Sequence, residues 1–493
     1  MPSNFIRNMS NSIKRNFLYN ILLNISKVIF PLITAPYVCR VLEPDGVGLF
    51  NFANTYAGWF ALFAALGIPY YGIREVAKIK NDIKVQTKFI SEIISISIVA
   101  TFISSFIMLL TLLFIPQLNE NYVFFLVSGI ILYMTPFKVD WFFQGREELS
   151  YITFRSLIIK TLSLFFLFLL VREKSDLLIY VALNAASVIL NEIWNFVKLY
   201  QSGIHPYFTL SGTRHIKPLL ILFSSSIAIS VYTILDTLML GFMSDYDEVG
   251  YYNCATHLSK ALVPIATSLA AVALPRVAKL KEEKNWNEIN ILMNKSFSIV
   301  SFMSFPIAFG VMVVAPVFVP LFFGEQFYGT IIPLQIIIFS VVAIGFNNLT
   351  GIQILLGFGL DKAFLYSLLT GTVTNFILNL ALIPYFGASG AAISSVFAEI
   401  LILCVMLVFI YKKTPIRFYN FKDTSINLTL SLSFIFIAYM TGAYCSGWPF
   451  VFVTIVGCAL VYLCGQYLAK TSSSMMLIEM IKSKFKLNNE RLS

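Results

Sequence analysis

Apolar residues along this chain gather into runs of about 20, divided by short polar stretches, from one end to the other. The first half holds runs near 17–39, 48–71, 89–115, 122–143, 153–171 and 177–200. The second holds runs near 218–243, 251–275, 296–320, 332–357, 363–384 and 388–411, then 424–444 and 449–468. At about 1.5 Å rise per residue each run can cross a hydrocarbon layer of about 30 Å as a helix. The pattern predicts an all-α polytopic membrane protein with about 14 transmembrane helices. The first run is not uniformly apolar. Asn20, Asn24, Lys27, Pro31 and Thr34 follow helical spacing and form one polar stripe. Lys27 lies roughly 15 Å into the run, where a cation costs about 3 kcal/mol on insertion scales. Lipid cannot hydrogen-bond such a stripe, so it is expected to face protein or a water-filled cavity.

Composition removes whole classes of function. Hydrophobic residues make up 58% of 493 positions and charged residues 12%, and no stretch between the runs is long enough to fold as a separate soluble domain. Arg7, Lys14 and Arg15 resemble the basic region of a signal peptide. The run behind them is too long and lacks a small-x-small cleavage site, which predicts an uncleaved first helix. The six cysteines show no CxxC pair or Cys/His metal spacing and read as free thiols. Three histidines, with no HExxH, P-loop or GxSxG motif, leave little for catalysis.

Charge decides the predicted topology. With the N-terminus inside, 29 of the 35 Lys and Arg fall in inner segments or at the inner ends of runs, and only Arg40, Arg172 and Lys174 in outer segments. That bias places both termini in the cytoplasm. It also accounts for the net charge of +10 through anionic lipid headgroups, without nucleic acid. The outer loops are short, which speaks against a glycan polymerase or ligase working on the outer face.

Two loops reveal a repeat. Asp45-Gly-Val-Gly-Leu-Phe-Asn-Phe-Ala53 and Asp247-Glu-Val-Gly-Tyr-Tyr-Asn-Cys-Ala255 share five of nine residues at an offset of 202, and the same offset carries Arg74 onto Arg276. Both precede helices that enter from outside, so the repeat is parallel. The expected organisation is an N-lobe over 1–200, a cytoplasmic linker over 201–217 and a C-lobe over 218–411. A loop over 412–423, two extra helices over 424–468 and a cytoplasmic tail over 469–493 follow. Two six-helix lobes around a central cavity are a transporter architecture.

Charged residues within the runs supply the candidate chemistry. A second stripe, Asn253, His257, Lys260, Pro264 and Thr267, has the spacing of the first. One midplane lysine in each lobe suits an anionic substrate. The alternative is that each lysine is neutralised by desolvation or paired for structure. Lys160 and Glu192 are expected to form a structural ion pair, and Asp140 to pair with Arg74 or Arg146 as an anchor or gate. Glu399 is deep and has no evident partner. Asp236 is deep in the seventh run, Asn375 and Asn379 lie one turn apart on the eleventh, and Ser394 and Ser395 follow Gly387-Ala-Ser-Gly390. Together they offer one carboxylate and several neutral oxygens, a set that suits Na⁺, with proton coupling through Asp236 as the rival.

The motifs Arg40-Val-Leu-Glu-Pro-Asp-Gly-Val-Gly-Leu-Phe, Gly72-Ile-Arg-Glu-Val-Ala-Lys, Asp140-Trp-Phe-Phe-Gln-Gly, Val249-Gly-Tyr-Tyr-Asn and Phe386-Gly-Ala-Ser-Gly-Ala-Ala carry a resemblance. Over essentially its whole length the chain resembles the polysaccharide (O-antigen type) flippase family of the multidrug/oligosaccharidyl-lipid/polysaccharide exporter superfamily. The resemblance implies a two-lobed fold that alternates between inward- and outward-open forms. It also implies that an undecaprenyl-diphosphate-linked oligosaccharide is moved from the inner to the outer leaflet of the bacterial cytoplasmic membrane. Related flippases place basic residues on the first and eighth helices, which marks Lys27 and Lys260, with Asn20, Asn24, Asn253 and His257 beside them, as the substrate-binding candidates. Arg74, Asp140 and Arg276 become gate or lobe contacts. Some flippases of the superfamily carry a cation site on the seventh, eleventh and twelfth helices, matching Asp236, Asn375, Asn379 and Ser395. Asn379 stands where they have an Asp, so one negative charge is missing. No cofactor is expected beyond Na⁺ or H⁺ as coupling ion. Other polysaccharide-assembly membrane proteins are the implied protein partners. A multidrug/cation antiporter of the same superfamily is the alternative within transport, and an integral-membrane glycan polymerase or ligase the alternative outside it.

Overall fold

The computed structural model describes residues 11–79, 82–267, 276–277, 279–417 and 421–475. Within them the chain is helical throughout, with no strand. The longer helices are α1 (Asn11–Ala65), α2 (Ile68–Lys78), α3 (Ile83–Phe114), α4 (Leu149–Leu170), α5 (Leu177–Gln201) and α6 (Thr213–Met243). They continue as α7 (Tyr246–Thr267), α8 (Trp286–Phe323), α9 (Asp361–Lys413), α10 (Phe421–Gly442) and α11 (Gly447–Ala469). Among the described residues nine helices are long and apolar enough to cross a membrane. The end of the eighth run, 268–275, and the tail beyond 475 lie outside the described residues.

Local sequence explains where helices bend or break. Helix α1 carries two of the expected runs, joined at Glu43 (φ 58°, ψ 175°) just before Pro44. Helix α9 carries two more, joined at Gly387 (φ 51°, ψ −129°), a conformation that glycine tolerates best. The run near 122–143 is cut into Tyr122–Ser128, Ile130–Tyr133, a tight turn over Thr135–Phe137 and Asp140–Gly145. Pro136 accounts for one break, because it lacks an N–H and clashes with the preceding turn.

The chain divides into two compact units, Met1–Gly250 and Tyr251–Ser493. In the first, α1 packs on α3, α4 and α6, while α2 packs on Asp140–Gly145. Phe89, Trp141, Phe142 and Phe143 join Ile68, Ile90 and Ile93 in its core. Helices α1 and α4 run parallel in one register. Thr153 donates to the Tyr19 carbonyl, Lys160 to Ser26 and Tyr37 to the Val171 carbonyl, each pair 134 residues apart.

Within the first unit residues 44–48 meet residues 246–250, backbone on backbone. A Cβ on Gly48 would stand 1.7 Å from the Tyr246 carbonyl oxygen, and one on Gly250 would stand 2.3 Å from that of Pro44. Only glycine permits so close an approach. Lys174 closes the same end by pairing with Glu43 at 2.8 Å and Asp45 at 2.9 Å.

In the second unit α8, α10 and α11 share a buried polar layer. Ser298 donates to Asp423 at 2.8 Å, Asn427 to Ser301 at 2.7 Å, and Gln466 to Asn427. In place of the hydrophobic effect, which is absent between helices in lipid, such bonds and close packing hold them together. All six cysteines are free, as expected, with Cys39, Cys254 and Cys458 buried.

Candidate functional site

The polar stripe of α1 is a hydrogen-bonded ladder on an open face. Asn24 donates to Asn20 at 3.2 Å and Lys27 to Asn24 Oδ1 at 3.5 Å, and all three side chains are exposed. Between Leu18 and Ile33 only Ser26 is buried, and it lies on the face turned to α4. There Lys160 Nζ donates to Ser26 Oγ at 3.2 Å and sits 5.5 Å from the centre of the Phe30 ring. Lys27 is the residue that follows Ser26 on α1. The first unit therefore brings a second lysine to the residue next to Lys27, where sequence reasoning placed one.

The expected Lys160–Glu192 pair does not form. Glu192 instead accepts from Asn195 Nδ2 at 3.1 Å. Register is the reason, because the 134-residue offset that aligns α4 with α1 turns Lys160 towards Ser26. Asp140 does not pair with Arg74 or Arg146 either. It is bound at 2.9 Å by Arg155, which is 3% exposed, and accepts from Asn195 at 3.1 Å. Arg74 is spent on Glu75 at 2.9 Å and stacks over Tyr71, and Arg146 is spent on Glu148 at 2.9 Å. A neighbour in sequence wins in both cases, since holding it costs less side-chain entropy. Arg276 is exposed.

In the second unit His257 and Lys260 are exposed on α7, three residues apart, and Asn253 is half-buried one turn before them. Further on, Asn379 Nδ2 donates to Asn375 Oδ1 at 3.2 Å, and Asn375 Nδ2 to Ser395 Oγ at 3.5 Å. The Tyr252 hydroxyl joins Ser395 at 3.2 Å. Asn375 and Asn379 are buried, and Ser394 turns away to its own helix, donating to the Gly390 carbonyl at 2.9 Å. These side chains present neutral oxygens, the donor class a hard monovalent cation takes. Among the described residues no three His, Cys, Asp or Glu side chains cluster as metal ligands. Asp236 is buried in α6 of the first unit. Glu399 accepts from Asn347 Nδ2 at 2.6 Å, the partner that the sequence did not disclose.

Sequence reading missed Arg155, Tyr252 and a buried group around Glu92. Glu92, 1% exposed, accepts from Arg214 at 2.7 Å and from His215 Nε2 at 2.8 Å, and Tyr71 binds His215 Nδ1 at 2.8 Å. A signal was present. Glu92, Arg155 and Asp140 are charges at the same predicted ends of their runs, where opposite signs seek one another.

Residues 13–281, more than half of the chain, match the model of a family described as polysaccharide biosynthesis protein. The chain belongs to that family. Residues 156–458 also match the model described as lipid II flippase MurJ. Among curated relatives is a "Putative O-antigen transporter" of Escherichia coli (strain K12). It is 25% identical over 81% of this chain and 97% of its own length. A second protein of the same name, from Shigella dysenteriae, is 21% identical over 80% of this chain and 99% of its own. The fold resembles that of lipid II flippase MurJ in an inward closed conformation, with a TM-score of 0.67 at 17% identity over 94% of this chain and all of that one. An inward-facing multidrug resistance MATE family transporter of the MOP superfamily follows, with a TM-score of 0.55 at 13% identity over 79% and 96%. Family and fold are those of transporters and flippases rather than enzymes, and the chain is a multi-pass membrane protein.

Proposed function

We propose that this protein flips an undecaprenyl-diphosphate-linked oligosaccharide from the inner to the outer leaflet of the bacterial cytoplasmic membrane, for surface polysaccharide biosynthesis. The observation that carries the reading is the open polar face of α1, with Lys27 exposed and Lys160 beside it on Ser26. A diphosphate leaving water must exchange its hydration for cations and hydrogen-bond donors. Asn20, Asn24, Lys27 and Lys160 supply both kinds on an otherwise apolar helix pair. Lys260 and His257 offer the same chemistry in the second unit. The positive-inside bias supports cytoplasmic termini, and alternating access supplies a route in which the sugar never meets lipid. Coupling to Na⁺ or H⁺ belongs to the same proposal, with Asn375, Asn379 and Ser395 as neutral ligands and Asp236 as a proton carrier.

Complementation tests it. In a bacterium lacking its own flippase, the protein should restore surface glycan and clear the lipid-linked intermediate from the inner leaflet. Normal membrane insertion with continued accumulation of that intermediate, across hosts supplying different repeat units, would count against the reading.

A further inference from the structure

We infer that the first unit carries a binding site for an anionic phospholipid of the surrounding leaflet, at the end where α2, α3 and α6 meet. A cleft of about 490 Å³ opens there, lined by Tyr71, Glu75, Lys88, Phe89, Arg214 and His215 among others. A second groove of about 560 Å³ follows one face of α6, over Thr213, Ile216, Lys217, Leu220, Ile221 and Ser224. The two both take residues from the start of α6, and the cleft carries more charged side chains than the groove. Lys88 and Lys217 each stand immediately before an apolar run, at the level of lipid headgroups.

The cleft's charge suits a phosphate. Arg214 is fixed by Glu92 at 2.7 Å, yet its side chain is 60% exposed, so part of the guanidinium remains open to a ligand. Glu75 would repel an anion, but Arg74 and Lys78 each bind it at 2.9 Å. Arg74, Lys78, Lys88 and Arg214 thus outnumber Glu75 and Glu92. Beside them Ile216, Leu220 and Ile221 are exposed at 44%, 50% and 61%, a stripe wide enough to seat an acyl chain. A cleft with cations and an apolar groove, both taking residues from the start of α6, match a headgroup phosphate and its chain. The amphipathic helix α2, with Ile68, Tyr71 and Val76 buried and Arg74 and Lys78 exposed, matches a membrane-surface position.

The test uses the purified full chain in detergent and counts retained lipid by native mass spectrometry. Wild type should retain phosphatidylglycerol over phosphatidylcholine, by about fivefold for each cation engaged. Lys88→Glu should abolish that preference, and Leu220→Gln should weaken both lipids. Both residues lie outside the buried Glu92 group, so unchanged thermal unfolding without lipid verifies the fold. Equal retention of the two lipids by wild type, or full preference in Lys88→Glu, overturns the proposal. Inorganic phosphate that competes as well as phosphatidylglycerol would reduce the site to a simple anion site. Undecaprenyl phosphate that displaces phosphatidylglycerol at equal concentration would assign it to the carrier instead.

Discussion

Lys160 donates to Ser26 Oγ at 3.2 Å, on the residue next to Lys27, and so brings two cations to one region of the first unit. Among the described residues neither lysine has a carboxylate within ion-pair distance. Two like charges brought near one another repel, and an anion between them relieves the repulsion.

Lys27→Ala and Lys160→Ala should therefore each reduce glycan export by at least about tenfold, the equivalent of about 1.4 kcal/mol, while the arginine variants retain part of it. Export is read as surface glycan per inserted protein. Wild-type export from Lys160→Ala would return Lys160 to a purely structural role on Ser26.

How much of this was legible beforehand differs between levels. Apolar runs dictated the helical membrane fold, since backbone in lipid must satisfy itself. Lys27 stood out because its depth needs no partner to be recognised. Lys160 was misassigned, because pairing depends on which faces meet, and that is set by the α1–α4 register. The contact of residues 44–48 with residues 246–250 was invisible for the same reason. Their glycines hinted at it, but a glycine does not name the backbone it approaches.

Gly48 and Gly58 lie on the same helix and should behave in opposite ways. Gly48→Ala forces a methyl against the Tyr246 carbonyl oxygen, which should destabilise the protein by about 1–3 kcal/mol or more. Nothing lies within 4 Å of a Cβ on Gly58, so Gly58→Ala should be neutral or stabilise by about 0.5–1 kcal/mol. Thermal unfolding in detergent separates them, and equal midpoints would contradict the backbone contact.

Arg155 and Asp140 form a pair that is buried on the arginine side. Arg155→Met leaves Asp140 without its cation and should cost about 3 kcal/mol. Adding Asp140→Asn should recover part of that loss, because the stranded charge is removed with its partner. A double-mutant cycle on thermal stability measures the coupling, and strict additivity would mean the pair is electrostatically idle.

Asp247 gives a pH signature. It lies just before the apolar run that begins near 251, where burial first and the nearby Asp45 second raise its carboxyl above the usual range. A raised acid binds its proton more tightly when folded, so its charge destabilises the fold as pH rises through the folded-state pKa. Asp247→Asn should therefore raise the unfolding midpoint at pH 7, with the difference fading below about pH 4, where the wild-type side chain is neutral in both states. A variant that is less stable at pH 7 would show that Lys174 outweighs these terms.

Cation coupling gives the last test. Asn379, Asn375, Ser395 and Tyr252 form one hydrogen-bonded chain of neutral groups, with Asn375 and Asn379 buried. Neutral oxygens hold a monovalent ion weakly, so binding should need millimolar Na⁺ and appear as stabilisation that grows with concentration. Na⁺ should raise the unfolding midpoint of wild type above that in equal K⁺, and Asn375→Ala should lose the difference. A proton carried by Asp236 predicts another outcome. Transport would then depend on pH and not on Na⁺, and Asp236→Asn would remove the pH dependence while Asn375→Ala left it intact. Stabilisation that is the same in Na⁺ and K⁺, with Asn375→Ala unchanged, would dismiss the neutral cluster as a cation site and leave it as a tie between helices.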